Sequence, residues 1–358
     1  MTNAPALAEA SPPSVEGIQL YGGGIFKTEA ETKSFIDKCS RHGVTVILPG
    51  LSAGPSALWK TDSQSYAADQ KQVLDSGYDA LEGLIRHAHA AGIKVYPSVA
   101  VYFAGDLIKG HPEWETLDRE GRPSRETYGS AALAYSFPEA RRAKIQMLMD
   151  LVTGYDIDGI LLDRLRYPEN TKKPEWNHGY YGYDPLLIDT CLNTYGFDPR
   201  AVPIDSNKWE IFAQLRAETI ACFLAEFRDA IKSSERDIRI GVFAAPDPVR
   251  RRAQSGRDYG AWGKRGLIDD LYLGMYHESE AEVQSAIPQV RSAIGRGVML
   301  YTSLSPFNNY LKNEDEMIGM AQTHMACDID GLWVYRTDYV ESLDLWQGVL
   351  KVSHMTKE

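Results

Sequence analysis

The chain has 358 residues, 44% hydrophobic and 24% charged, which is material for a sizeable core in two average domains or one large barrel. A formal net charge of -11 argues against nucleic-acid binding, which needs a basic surface; the densest basic run, Arg250-Arg251-Arg252, reads as a solvated helix face. No run approaches the roughly 20 apolar residues that span a bilayer, so no membrane span is expected.

Residues 1–14 are rich in Ala, Pro and Ser and are read as a flexible tail. They lack the basic and apolar regions of a signal peptide but resemble the spacer that follows a removed one. Export to the periplasm or beyond and residence in the cytoplasm therefore both stay open, as does the oligomeric state. Strand-like and amphipathic segments then alternate. Residues 17–21 (GIQLY) form the first strand, and 28–42 form a helix with Thr28 as N-cap and Gly43 as terminator. Strand two is 44–48 (VTVIL), followed by a helix over 78–91. Strand three is 94–101 (KVYPSVAV), where Pro97 removes one ladder donor. A helix over 137–154 opens on Pro-Glu and leads to strand four, 159–163. A long helix over 209–232 precedes strand five, 238–243. A short helix over 258–266 precedes strand six, 268–275. A helix over 280–294 precedes strand seven, 298–301. A helix over 313–327 precedes strand eight, 331–335, and a helix over 340–353 closes the chain.

Eight strands alternating with about eight helices predict an α/β fold, a single (β/α)8 TIM barrel over 15–358. A doubly wound sheet is the competitor. No GxGxxG opens the first helix, and Gly22-Gly23-Gly24, a tight turn or a close backbone approach, lacks that spacing. Two connections, 102–137 and 164–207, are long, and both leave the C-terminal ends of strands, three and four, where barrels build substrate clefts. The four cysteines, Cys39, Cys191, Cys222 and Cys327, match no metal or redox spacing and are read as free thiols.

Strand four carries the most information. Ile160, Leu161 and Leu162 form an unalternating apolar run, the mark of a parallel strand covered on both faces. Asp163, Arg164 and Arg166 follow at its C-terminal end. Strand alternation puts Leu161 and Asp163 on one side and Ile160 and Leu162 on the other. If the first pair faces the barrel axis, Asp163 is the leading catalytic candidate. Asp158, at the other end, reads as a turn or cap residue.

The run DGILLDRLRYP resembles the DGIHxDxxRYP signature of the bacterial glycosyl-hydrolase-like barrel family of the "family 10-like" type, which is distinct from the xylanases. His111-Pro112-Glu113-Trp114 with Asp118-Arg119-Glu120-Gly121-Arg122-Pro123 is similar to that family's loop after strand three. Phe137-Pro138-Glu139-Ala140-Arg141, Tyr195-Gly196-Phe197-Asp198-Pro199 and Asp258-Tyr259 with Trp262 and Gly266-Leu267-Ile268-Asp269 resemble its later elements, and Gly274-Met275-Tyr276 stands near its P-M-x-Y. The resemblance covers about residues 15–350. It implies a TIM barrel acting on glycosidic bonds, with an oligo- or polysaccharide as substrate, and does not specify the sugar.

Glycoside hydrolysis commonly uses two carboxyl groups, one ionised and one protonated. Asp163 suits the nucleophile or base, because Arg164 and Arg166 favour its charged form; the alternative is a structural ion pair with one of them. Glu278 is the first choice for the acid, since a Glu beside aromatics just after a strand is open to desolvation; it is also readable as a solvated acid opening the next helix. Asp338, Asp247 and Asp106 follow other strands on the same face. His277 is readable as acid, base, hydrogen-bond donor or structural residue. Tyr21, Tyr102, Tyr276, Tyr301, Trp333, Arg336 and Asp338 are placed at strand ends as substrate contacts. Trp114, Trp176, Tyr180, Tyr181 and Tyr183 are candidates for outer subsites; the loop 177–183 is equally readable as a mini-core. No HExxH occurs, and His87-Ala88-His89 sits on a helix, where residues two apart point to different faces, so no metal and no cofactor are expected. A barrel that binds carbohydrate without catalysis is the alternative function. A lyase or aldolase is disfavoured, because no Lys ends an assigned strand.

Overall fold

In the computed structural model the described residues are 18–355, apart from 23–25, 54–55, 62–70, 72–74, 170–179 and 205. The tail expected over 1–14 lies outside them, as do Gly23, Gly24, Trp176, Asn177, His178 and Gly179.

Eight parallel strands form a ring. They are β1 (Ile18–Tyr21), β2 (Val44–Leu48), β3 in two pieces (Lys94–Val95 and Ser98–Ala100), β4 (Gly159–Asp163), β5 (Arg239–Ala244), β6 (Asp270–Leu273), β7 (Met299–Leu304) and β8 (Gly331–Tyr335). Each pairs with its sequence neighbours, and β8 pairs with β1. The break in β3 falls at Tyr96-Pro97, where proline offers no ladder donor. Backbone bonds across the break keep the ring closed. Tyr96 N donates to Ile47 O (2.9 Å) and Ser98 N to Pro49 O (2.7 Å) on one side, and Leu161 N donates to Pro97 O (2.9 Å) on the other. The single TIM barrel predicted from the alternation is the observed fold.

The strands take the apolar faces their sequences dictate. Ile160 and Leu162 pack outward into the layer shared with the helices, while Leu161 points inward against Leu48, Tyr96, Tyr272 and Trp333. Asp163, two residues on, therefore faces the axis at the C-terminal mouth. The interior is filled largely by aromatic rings, and this requires a glycine at 159: a Cβ there would lie 2.7 Å from the Tyr96 ring.

Helix ends follow local chemistry. The Thr28 hydroxyl accepts from Glu31 N (3.2 Å) at the start of Glu29–Arg41, and Ser279 with Glu282 forms a capping box on Glu280–Ile294. The C-terminal helix expected over 340–353 is instead two helices, Thr337–Ser342 and Trp346–Ser353, with Asp344 between them at φ 52. The Arg250-Arg251-Arg252 run is a solvated face only at Arg250. It lies on the helix Pro248–Ser255, from which Arg252 reaches Glu210 and Arg251 turns in toward Glu169. All four cysteines are free.

The two long connections interlock through Asp184, which is fully buried. Its carboxylate accepts from Thr116 Oγ1 (2.9 Å), Leu117 N (3.2 Å) and Ser136 Oγ (3.0 Å). Burial pushes its pKa up to about 6 despite those donors. Tyr183 joins Leu187, Ile188, Phe197, Trp209 and Phe212 in a small satellite core. Tyr180 and Tyr181 are likewise buried, so these three rings hold the loops together and offer no exposed face to a ligand.

Candidate active site

A cleft of ≈ 270 Å³ opens at the C-terminal mouth, close to the lower end for ligand pockets, roughly 300 Å³. Asp163 ends β4 in it. Its backbone is held by the ladder, with Val101 N donating to Asp163 O at 2.9 Å, so the carboxylate is presented by a rigid element. The side chain is 27% exposed and stands 3.7 Å from Arg164 Nε. Arg164 takes a left-handed turn (φ 53) and leaves the strand there. Its guanidinium lies over the Tyr102 and Phe103 rings and donates to the Tyr102 hydroxyl at 2.7 Å.

Aromatic side chains form the wall facing Asp163. Tyr21 and Tyr335 have ring centroids 5.0 Å apart, Tyr335 and Tyr276 4.9 Å, and Tyr276 stacks on Phe243 at 6.0 Å. Trp333 lies beneath them, wholly buried, and its Nε1 has no hydrogen-bond partner among the described residues. Burial, with the nearby Asp163 charge, pushes the Tyr21 and Tyr276 hydroxyls well above the ordinary phenol range. Both remain protonated and able to donate. Gly22 lets the chain leave β1 beside this wall: its φ is 141, and a Cβ there would overlap Thr337 Oγ1, which donates to Tyr21 O at 3.0 Å.

Beside Arg166 lies a group that sequence reasoning missed. Glu169 is held by Ser255 Oγ at 2.8 Å and lies 3.5 Å from Arg166 Nη1 and 3.7 Å from Arg251 Nη1. Burial pushes its carboxyl up, but the facing Arg166, Arg257 and Arg251 outweigh that and hold it at about 2. Arg257 is 3% exposed and lines the cleft; burial lowers its pKa to about 10 against the pull of Glu169. Nothing in the order Arg166, Glu169, Arg251, Arg257 marks these residues as neighbours. They come from two connections, the one after β4 and the one after β5, more than 80 positions apart.

Of the residues expected at the site, Tyr21, Asp163, Arg164, Arg166, Tyr276 and Trp333 line the cleft. Tyr128, Phe243, Arg257 and Tyr335 line it too and were not anticipated. Tyr102 is buried under Arg164 and Tyr128, bonded to both, and offers no free face. Tyr301 sits inside the barrel against Tyr272 (5.1 Å), below the cleft, because β7 runs on to Leu304 past the expected end at 301. Trp114 stacks on His111 (3.9 Å) in the loop after β3 and is not part of the lining. Arg336 and Asp338 form a bidentate pair at 2.7 Å on the rim. Asp247 caps the helix Pro248–Ser255, and Asp106 pairs with Lys109 at 2.9 Å.

His277 and Glu278 stand beyond Tyr276 on the rim. Glu278 accepts from His277 N at 2.9 Å, and neither residue lines the cleft. Asp163 is the one carboxylate of the lining among the described residues. No group of three His, Cys, Asp or Glu suited to a metal occurs among them, and no described helix is long and apolar enough to cross a membrane.

The family model described as glycosyl hydrolase-like 10 matches residues 14–310. The chain is 23% identical over 357 residues to the Bacillus subtilis (strain 168) protein named glycosyl hydrolase YngK, covering 94% of this chain and 64% of that protein. Among solved structures, the PgaB (BpsB) glycoside hydrolase domain from Bordetella bronchiseptica matches with a TM-score of 0.69 at 14% identity, covering 94% of this chain and 99% of that one. Alpha-L-fucosidase isoenzyme 2 from Paenibacillus thiaminolyticus matches with a TM-score of 0.65 at 16% identity, covering 94% and 49%. The chain thus spans less than two thirds of YngK and about half of the fucosidase chain. At these identities the solved structures speak for the fold alone, a barrel shared with glycosidases.

Proposed function

The chain belongs to the glycosyl hydrolase-like 10 family, and on that premise we propose that the barrel over 15–358 is a glycoside hydrolase acting on an oligo- or polysaccharide. One observation carries this reading: an ionisable carboxylate, Asp163, fixed at the end of β4, faces a wall of aromatic side chains across a cleft at the barrel's C-terminal mouth. In this reading Asp163 is the nucleophile or base. The rings of Tyr21, Tyr276 and Tyr335 present apolar faces to a sugar ring, while their protonated hydroxyls donate to its oxygens. The proton donor we assign in this reading is Glu278, which stands on the rim two residues past Tyr276, outside the lining of the cleft. Asp338 is committed to Arg336 and Asp247 to a helix cap, whereas Glu278 accepts, among the described residues, from the backbone N–H of His277.

Product release from a panel of bacterial, plant and algal glycans tests the assignment. Asp163→Asn should lower the rate by roughly 10²- to 10⁴-fold while leaving the fold intact. Cleavage at an equal rate by the variant would move the chemistry elsewhere. The second reading is a carbohydrate-binding barrel without catalysis, favoured by the single carboxylate in the cleft lining among the described residues. It predicts ligand retention without product by wild type and Asp163→Asn alike.

A further inference from the structure

Charge at the mouth of the barrel does not balance. Arg164, Arg166, Arg251 and Arg257 surround Asp163 and Glu169, four cations to two anions, in a chain whose formal charge is -11. Three of the four, Arg164, Arg166 and Arg257, line the cleft. Glu169 cannot satisfy the cluster. It is shared between Arg166 and Arg251 at 3.5 and 3.7 Å, beyond good hydrogen-bond length. The Nε–H groups of Arg166 and Arg257 are buried with no hydrogen-bond partner among the described residues, and Arg257 as a whole is 3% exposed. Unpaired guanidinium groups withdrawn from water are costly to a fold unless something takes up their donors.

We propose that this side of the cleft is an anion subsite, in which Arg166 and Arg257, with Arg164 at the rim, bind a carboxylate or sulfate substituent of the sugar that lies against Asp163. The proposal rests on the glycosidase reading of the same cleft and specifies its substrate class. Two oxygens of a carboxylate or a sulfate match the guanidinium fork, and either group cancels charge that a neutral sugar would leave uncompensated. The cleft is partly shut from water, so this attraction is screened less by salt than a surface pair would be.

Paired ligands test it. Oligosaccharides of hyaluronan, polygalacturonate and alginate are titrated calorimetrically into the wild-type protein beside their carboxyl-reduced counterparts, and carrageenan oligosaccharides beside their desulfated ones. At least one acidic member should bind roughly 10- to 100-fold more tightly than its neutral partner. Whether the winner is a uronate or a sulfate identifies the oxyanion. The preference should collapse in Arg257→Gln and in Arg166→Gln. If no acidic member is preferred by wild type, the subsite is overturned, and that comparison needs no variant to fold. A preference that persists in both folded variants overturns the assignment to these arginines. Product release on the same ligands separates this claim from the hydrolase claim. Cleavage of neutral glycans with no acidic preference sinks the anion subsite alone, whereas acidic preference without cleavage sinks the hydrolase alone.

Discussion

Glu169→Gln probes the energetics of the charge cluster directly. The carboxyl is held at about 2 against an ordinary 4.5, because three arginines outweigh the burial that would raise it. A difference of that size corresponds to about 3 kcal/mol of differential stabilisation of the charged form. Because the folded-state pKa is depressed, this stability is present above about pH 4.5 and is lost as pH falls through 2. Glutamine keeps the shape and can still accept from Ser255 Oγ, but it removes the counter-charge and leaves the facing guanidinium groups unopposed. Urea unfolding at pH 7 should therefore find the variant less stable by about 3 kcal/mol, and the gap should narrow between pH 4.5 and 2. A gap below about 1 kcal/mol at pH 7, the scale of an exposed ion pair, or a gap that does not change with pH, would refute the account.

Asp184→Asn should alter stability in the opposite sense with pH. Its carboxyl is raised from 3.8 to about 6 by burial, so the wild type is relatively most stable below about pH 4 and loses about 3 kcal/mol relative to the amide as pH rises through 6. Paired unfolding curves at pH 4 and pH 7 check this, and a wild-type advantage that grows with pH would contradict it. Gly159→Ala should destabilise the barrel by about 1–3 kcal/mol, since a Cβ would press on the Tyr96 ring at 2.7 Å and the close-packed interior offers no room. Thermal unfolding measures it, and an unchanged midpoint would mean that the ring moves freely.

Much of this molecule was legible before folding. The Thr28 cap, the strand Gly159–Asp163, the helix Glu280–Ile294 and the strand Gly331–Tyr335 follow from local chemistry and periodicity, and their alternation led to the barrel. The inward placement of Asp163 followed from the two-residue period of a strand buried on both faces. Errors clustered where a side chain's fate depends on distant partners. Arg251 belongs to a run that looks solvated, yet its helix is rolled so that it faces Glu169. For Tyr180, Tyr181 and Tyr183 the sequence leaves outer subsites and a mini-core equally open, and packing decides for burial: Tyr183 joins Leu187, Phe197 and Phe212, while Tyr180 and Tyr181 join the main core. Tyr301 was placed at a strand end because VMLY stops at it, whereas the ladder continues through Thr302 to Leu304.

The sequence by itself determined which segments are strands and helices, their order, and the strand end that carries the acid, because periodicity, caps and turn residues act over a few positions. Only the tertiary structure decided what surrounds that acid. Residues 21, 163, 166, 257, 276 and 335 meet because eight strands close into one ring. Closure converts positions hundreds of residues apart into neighbours, and no local pattern encodes that distance.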